Sequence, residues 1–153
     1  MTCCLDDVLL PPAAPALFPG RRQDRIAQCV NSAMLAVEPV RRSVERRREA
    51  RHPYPYPLHL TPLGADGQAL AEETFVVIGK HLAPHGVDFY SPQPLAHRRV
   101  IVSLDCGKEG WIGIVVELAW CRFSRHGWYD NGGRFIGIVR SPLADFDDRP
   151  RAA

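Results

Sequence analysis

Arginine dominates the residues of this chain whose types and spacing could do chemistry. Four of them, Arg46, Arg47, Arg48 and Arg51, stand directly before a proline-rich segment, and Arg47 and Arg51 form an RxxxR pair. A guanidinium group binds a phosphate with two parallel hydrogen bonds, and it binds O6 and N7 of guanine in the same way. It also stacks on purine rings. Such an arm beside a rigid domain suits a compact, doubly charged purine nucleotide.

The competing interpretation of this arginine cluster is a solvated run of charges in which Glu45 and Glu49 partly pair with the arginines. Composition alone favours that interpretation, because 17 of the 19 basic residues are arginine and an RxxxR pair arises easily in such a chain. The region 21–51 holds nine arginines against four acidic residues, a local charge of about +5. A local basic patch of this kind is typical of an anion site.

The secondary structure predicted around the arginine cluster changes from helix to extended chain near residue 51. Apolar residues recur at helical spacing at Ile26, Val30, Met34, Leu35 and Val37. This pattern predicts a helix from Arg21 to about Glu38, and Pro39 ends that helix or starts a second short one. Prolines 53, 55 and 57 then favour extended backbone.

Six segments downstream alternate apolar and polar residues, or run through β-branched residues between turn signals. They lie at 58–61, 73–82, 87–90, 99–104, 111–123 and 134–139. Gly132-Gly133 is interpreted as a turn pair before the last of them. Short strands at this spacing predict an all-β barrel or sandwich. The tryptophans at 111, 120 and 128, with Phe123 and Phe135, are expected in its core or its closure, and an aromatic wall of a ligand site is the alternative.

The 153 residues amount to about one domain, and 46% hydrophobic with 24% charged residues argues against a disordered chain. We expect an irregular Pro/Ala-rich segment at 1–20 and a helical segment at 21–44. The β-barrel then covers 45–140, with its basic arm at 45–52, and a flexible tail follows at 141–153.

Several function classes are excluded at this stage. No apolar run approaches the roughly 20 residues of a membrane-spanning helix, and no basic start with an apolar run marks a secretory signal, so a cytoplasmic location is expected. The five cysteines contain no CxxC pair, which favours free thiols over a metal site. No paired carboxylates or nucleophile motif appear, so neither an enzyme nor a cofactor is predicted. A net charge of +2 argues against a general nucleic-acid binder.

Residues 45–140 resemble PilZ domains, the bacterial receptors for cyclic di-GMP. The resemblance lies in the lead 45–51 with its RxxxR pair, the proline-rich segment 53–57, the segment 76–89 and the closing segment 127–135. It implies a six-stranded antiparallel β-barrel preceded by one or two α-helices. It also implies that Arg47 and Arg51, with Arg46 and Arg48 as helpers, clasp the guanine edges and phosphates.

A second motif of the family, DxSxxG, is only partly matched. His81 stands at the position of its Asp, Ala83 at that of its Ser, and Gly86 matches its Gly. A carboxylate accepts hydrogen bonds from two guanine donors at once, whereas a neutral histidine accepts one and alanine none. The lost bonds predict an affinity lower by at least about tenfold. Asp88 also carries a carboxylate, but it lies on the next strand and its sequence position gives no support for a replacement.

The resemblance therefore implies a non-catalytic receptor that binds cyclic di-GMP through Arg46, Arg47, Arg48 and Arg51 with His81, Ala83 and Gly86, and that signals to an unidentified partner protein by ordering its arm. The alternative is a degenerate barrel that binds no nucleotide and acts as a protein-interaction adaptor. The intact RxxxR pair favours the receptor, whereas His81 and Ala83 favour the adaptor. An arginine-rich arm that binds RNA or DNA is a third, weaker alternative, which a steep salt dependence would reveal.

Overall fold

The chain folds, in a computed structural model that describes residues 19–37, 51–124 and 126–146, as one helix followed by seven β-strands. The helix α1 spans Pro19–Val37. The strands are β1 His52–Pro53, β2 Pro57–Pro62, β3 Phe75–Ala83, β4 Gly86–Ser91, β5 Arg99–Asp105, β6 Trp111–Phe123 and β7 Tyr129–Arg140. One or two helices were predicted before the strands, and one is found within the described residues.

Six of the strands close into an antiparallel barrel, as predicted. The order β3-β2-β5-β6-β7-β4 is closed by the pairing of β4 with β3. The two-residue strand β1 is additional and pairs with the end of β3, His52 opposite Leu82 and Pro53 opposite His81. Because a closed barrel has no free edge along its ring, β1 can only lie on β3 where β2 has already ended.

The interior follows from the alternation of side chains along each strand. Leu58 and Leu60 of β2 are fully buried, whereas His59 between them is only half-buried. The same core contains Val77, Leu82, Phe89, Val100, Val102, Leu104, Ile114 and Val116.

Helix α1 packs against this core with one face. Ile26, Val30, Ala33 and Met34 are buried in the same apolar cluster as the barrel interior, in keeping with the helical spacing of apolar residues. The thiol of Cys106 donates a hydrogen bond to the Cys29 carbonyl at 3.5 Å, which ties the helix to the barrel. Burial raises the pKa of the Cys29 thiol. The three cysteines within the described residues carry free thiols, and two of them are buried.

The start of β7 departs from the sequence prediction. Gly132-Gly133, interpreted as a turn pair, lies inside the strand, which begins at Tyr129. Both glycines are required by close packing rather than by a turn: a Cβ at Gly132 would overlap the Trp120 ring, and one at Gly133 would overlap the carbonyl oxygen of Glu117. Glycine is the residue that permits such close approach of neighbouring strands.

The end of the described chain is a short 3-10 helix, Pro142–Phe146, where the sequence suggested a tail. A buried hydrogen bond of 2.6 Å joins the hydroxyl groups of Ser103 and Ser141 just before it. No helix among the described residues combines the length and the apolar character needed to cross a membrane.

Candidate functional site

An open cavity of about 280 Å³ lies on the barrel where the β3–β4 turn meets β6 and β7. The residue Arg51, which immediately precedes β1, reaches it from the outside. The charged, imidazole and indole side chains that line the cavity are Arg51, His81, His85, Asp88, Glu117, Trp120 and Arg134.

A two-residue turn, Pro84-His85, sets the register of the β3–β4 hairpin. It places His81 directly opposite Asp88 and Ala83 opposite Gly86. Directly opposite residues on antiparallel strands have Cβ atoms about 5 Å apart, so side chains of this size meet. Both carboxylate oxygens of Asp88 lie 3.2 Å from Nδ1 of His81, and Oδ2 meets it with hydrogen-bond geometry.

The Asp88 carboxylate is nearly buried, with 8% of its side chain exposed, and it also attracts Arg51. The Arg51 guanidinium lies 3.9 Å from Oδ2, an ion pair rather than a hydrogen bond. Oδ1 has no hydrogen-bond partner among the described residues. Because Oδ1 is itself buried, it does not present an acceptor to the open cavity.

Glu117 organises the opposite wall of the cavity. Its two carboxylate oxygens each accept a hydrogen bond of 3.1 Å, one from Arg99 and one from Arg134. Burial alone would raise the pKa of the Glu117 carboxyl, but the two guanidinium donors outweigh it and lower the pKa. Glu117 thus stays charged and anchors Arg134, whose side chain remains 71% exposed and free to meet an anion.

Trp120 forms an aromatic wall of the same cavity. It pairs across the ladder with Gly132, next to a register shift between Leu118 and Trp120. Because Gly132 has no side chain, the indole ring rests directly on the β7 backbone. The guanidinium of Arg122 lies 6.0 Å from the ring centroid, at the outer limit of a cation–π contact.

Four of the residues singled out from the sequence meet here. Arg51, His81, Ala83 and Gly86 all line the cavity, and a Cβ at Gly86 would overlap the carbonyl oxygen of Gly133, so this glycine lets β4 and β7 approach. Arg46, Arg47 and Arg48 lie outside the described residues, so their place at the cavity stays a prediction.

Sequence reasoning did not single out two charged residues of the cavity, Glu117 and Arg134. It considered Asp88 and Trp120 but favoured other interpretations of both. For Asp88 a signal existed, because a two-residue turn at 84–85 pairs residue 81 with residue 88 once the hairpin register is counted. Trp120 was expected in the core or the barrel closure, with an aromatic ligand wall as the alternative, and no sequence pattern separated it from Trp111 and Trp128. Arg134 could not be found because it lies far along the chain from the other basic residues.

No group of three or more His, Cys, Asp or Glu side chains close enough to hold a metal ion occurs within 19–37, 51–124 and 126–146.

Neither a family model nor a curated protein matches the chain. Solved structures similar to it include Bacillus subtilis MotI/DgrA, an inhibitor of motility, with 11% identity and a TM-score of 0.44 over 63% of this chain and 45% of that one. The Escherichia coli YcgR PilZ domain with c-di-GMP has 17% identity and a TM-score of 0.41 over 60% and 79%. The K. pneumonia MrkH–c-di-GMP complex has 16% identity and a TM-score of 0.41 over 61% and 45%.

These likenesses are distant, and the chain spans less than half the length of MotI/DgrA and of MrkH. They concern the fold, and the chemistry of the cavity rests on its own side chains. In its fold, the chain is similar to a PilZ domain.

Proposed function

We propose that this chain is a non-catalytic receptor that binds cyclic di-GMP in the cavity between the β3–β4 turn and β6–β7. The observation that carries the proposal is the convergence, on one open cavity, of two guanidinium groups, an indole ring and a hydrogen-bonded histidine–aspartate pair. The guanidinium groups belong to Arg51 and Arg134, and the indole ring to Trp120. The third feature is the pair of His81 and Asp88.

The chemistry of a cyclic purine dinucleotide matches these groups. Its two phosphates are anions that guanidinium groups bind with paired hydrogen bonds. Its bases are planar and stack on aromatic rings. The donors on a guanine edge need an acceptor, and the His81 ring, which is hydrogen-bonded to Asp88 at 3.2 Å, lines the cavity.

The arm 45–52 supplies the remaining positive charge in this proposal. Within the described residues the cavity is close to neutral, since Arg51 and Arg134 stand against Asp88 and Glu117. A dianion therefore needs further cations, and Arg46, Arg47 and Arg48 directly precede Arg51. The bound ligand would hold the arm against the barrel, and a partner protein would recognise that combined surface.

Calorimetric titration with cyclic di-GMP at moderate salt tests this function. We expect saturable binding in the micromolar range or tighter, and loss of at least tenfold in the double variant Arg47→Ala/Arg51→Ala, because each charge-assisted hydrogen bond contributes about 1.5–3 kcal/mol. Arg140→Ala is the matched control: it removes an exposed arginine at the far end of β7. Equal affinity in the double variant and the control would contradict the proposal.

A second candidate, the protein-interaction adaptor, is favoured by one surface. Val76 and Ile78 on β3 are 52% and 42% exposed, and Ile78, Tyr90 and Trp128 line a second open cavity of about 320 Å³. Exposed apolar residues grouped in this way are typical of protein contact sites. Absence of any heat with cyclic di-GMP would favour this candidate over the receptor.

A further inference from the structure

The direction of the hydrogen bond between His81 and Asp88 follows from the chemistry of the carboxylate. An ionised carboxylate only accepts hydrogen bonds, so the bond of 3.2 Å between Nδ1 and Asp88 requires the proton on Nδ1. In a neutral imidazole the other nitrogen, Nε2, then carries a lone pair and is an acceptor. Asp88 is the only hydrogen-bond partner of the His81 ring among the described residues, so Nε2 remains available.

His81 and Asp88 differ in how far each side chain is exposed to the cavity. His81 is about one-third exposed and lines the cavity, whereas the Asp88 side chain is 8% exposed beneath it. The aspartate also attracts Arg51 at 3.9 Å, so it holds the two groups that face the cavity from β3 and from the arm. Asp88 is therefore a positioning residue, and His81 presents the accessible acceptor.

We propose that Nε2 of His81, a single acceptor that Asp88 orients, accepts a hydrogen bond from the donor edge of the bound purine. This inference rests on the proposed function and specifies the base recognition of that same cavity. The edge of guanine offers two neighbouring donors, the N1–H group and the 2-amino group. One imidazole nitrogen serves one of them, whereas a carboxylate would serve both.

A site with this single acceptor discriminates weakly between purine bases. Hypoxanthine keeps the N1–H group of guanine and lacks the 2-amino group. A site with a single acceptor binds both bases with similar affinity, while a site with a two-oxygen acceptor discriminates against hypoxanthine. Discrimination by a hydrogen bond arises because a buried partner is left unpaired, and here Nε2 keeps its partner with either base.

Calorimetry with cyclic di-GMP and its hypoxanthine analogue, cyclic di-IMP, tests the inference. The wild type is expected to bind the two within about threefold. His81→Ala weakens both by about three- to tenfold, the contribution of a neutral hydrogen bond, and His81→Gln, which retains an acceptor oxygen, restores most of the loss. His81→Asp/Asp88→Asn presents a carboxylate and prefers cyclic di-GMP by at least about tenfold. The control His97→Ala removes a histidine that lies near Glu73 and outside this cavity.

A ligand-free measurement separates failure of this inference from failure of the proposed function. Nitrogen-15 shifts of the His81 ring should show a protonated Nδ1 and an unprotonated Nε2, a state that is lost in Asp88→Asn. Binding of cyclic di-GMP with an Nε2–H ring, or with unchanged affinity in His81→Ala, overturns the inference and leaves the function standing. Absence of binding in the wild type overturns both, whatever the ring shifts show.

Discussion

At the scale of single residues, the cavity depends on pairs that face each other across strands. Trp120 lies in the cavity wall because Gly132 opposite it has no side chain, and Arg134 is held by Glu117 at 3.1 Å. Trp120 and Arg134 are thus each positioned by a residue on the neighbouring strand. Such supporting contacts are what keep a binding group in its productive orientation.

Trp120→Ala tests the aromatic wall. Stacking of a base on an aromatic ring contributes about 1–3 kcal/mol, so we expect cyclic di-GMP to bind about five- to 150-fold more weakly in calorimetry. Trp128→Ala is the matched control, because Trp128 is 41% exposed and does not line this cavity; its affinity should stay within about twofold of the wild type. A larger loss in Trp128→Ala than in Trp120→Ala would contradict this assignment.

The sequence identified the residues of the cavity that belong to local patterns. Arg51, His81, Ala83 and Gly86 could be placed because they fall in short motifs. Asp88 was set aside because only its position along the sequence was considered. Its cross-strand pairing with His81 was not worked out from the hairpin register. Contacts between strands depend on register, which a linear pattern gives only where a short turn sets it.

At the scale of elements, the segment that carries the arm into the barrel crosses β3 at Gly79. The Tyr54 N–H group donates to the Lys80 carbonyl, and the Gly79 N–H group donates to the Tyr56 carbonyl, both at 2.9 Å. A Cβ at Gly79 would overlap the carbonyl oxygen of Tyr54. The crossing therefore requires glycine, and it determines where Arg51 enters the cavity.

Gly79→Ala tests this crossing. The added methyl group meets backbone rather than a movable side chain, so we expect the free energy of unfolding in urea to fall by about 1–3 kcal/mol. Val76→Ala on the same strand is the control; because Val76 is 52% exposed, its effect should stay within about 0.5 kcal/mol. Equal stability of the two variants would show that the segment does not need this close approach.

Six strands could be predicted because burial of one face imposes an alternating pattern on each. Two features of the elements could not. β1 has only two residues in its ladder with β3, too few to form a pattern. The start of β7 was missed because its glycines resemble a turn, whereas they are there to accommodate Trp120 and the backbone of Glu117.

At the scale of the whole molecule, helix α1 and the barrel share one core. Met34 is 1% exposed within the cluster that also contains Leu58, Leu104 and Ile114, whereas its neighbour Leu35 is 45% exposed. Helical spacing predicted this division of faces, but which surface the helix packs against depends on contacts far apart in sequence. The helix is thereby part of the barrel's stability rather than a separate module.

Met34→Ala and Leu35→Ala, compared by urea denaturation, test this shared core. Removal of a buried methionine side chain typically lowers the free energy of unfolding by about 2–5 kcal/mol. The exposed leucine should contribute no more than about 0.5 kcal/mol. Similar losses in the two variants would indicate that the helix does not pack on the barrel in solution.

Titration of the nitrogen-15-labelled protein with cyclic di-GMP, followed through the backbone amide signals, tests whether the cavity binds this ligand. We expect saturable shifts at Arg51, in 81–88 around the β3–β4 turn, and in 117–120 and 132–134 on β6 and β7. The absence of shifts at saturating concentrations, or shifts confined to the surface around Ile78 and Trp128, would contradict this expectation.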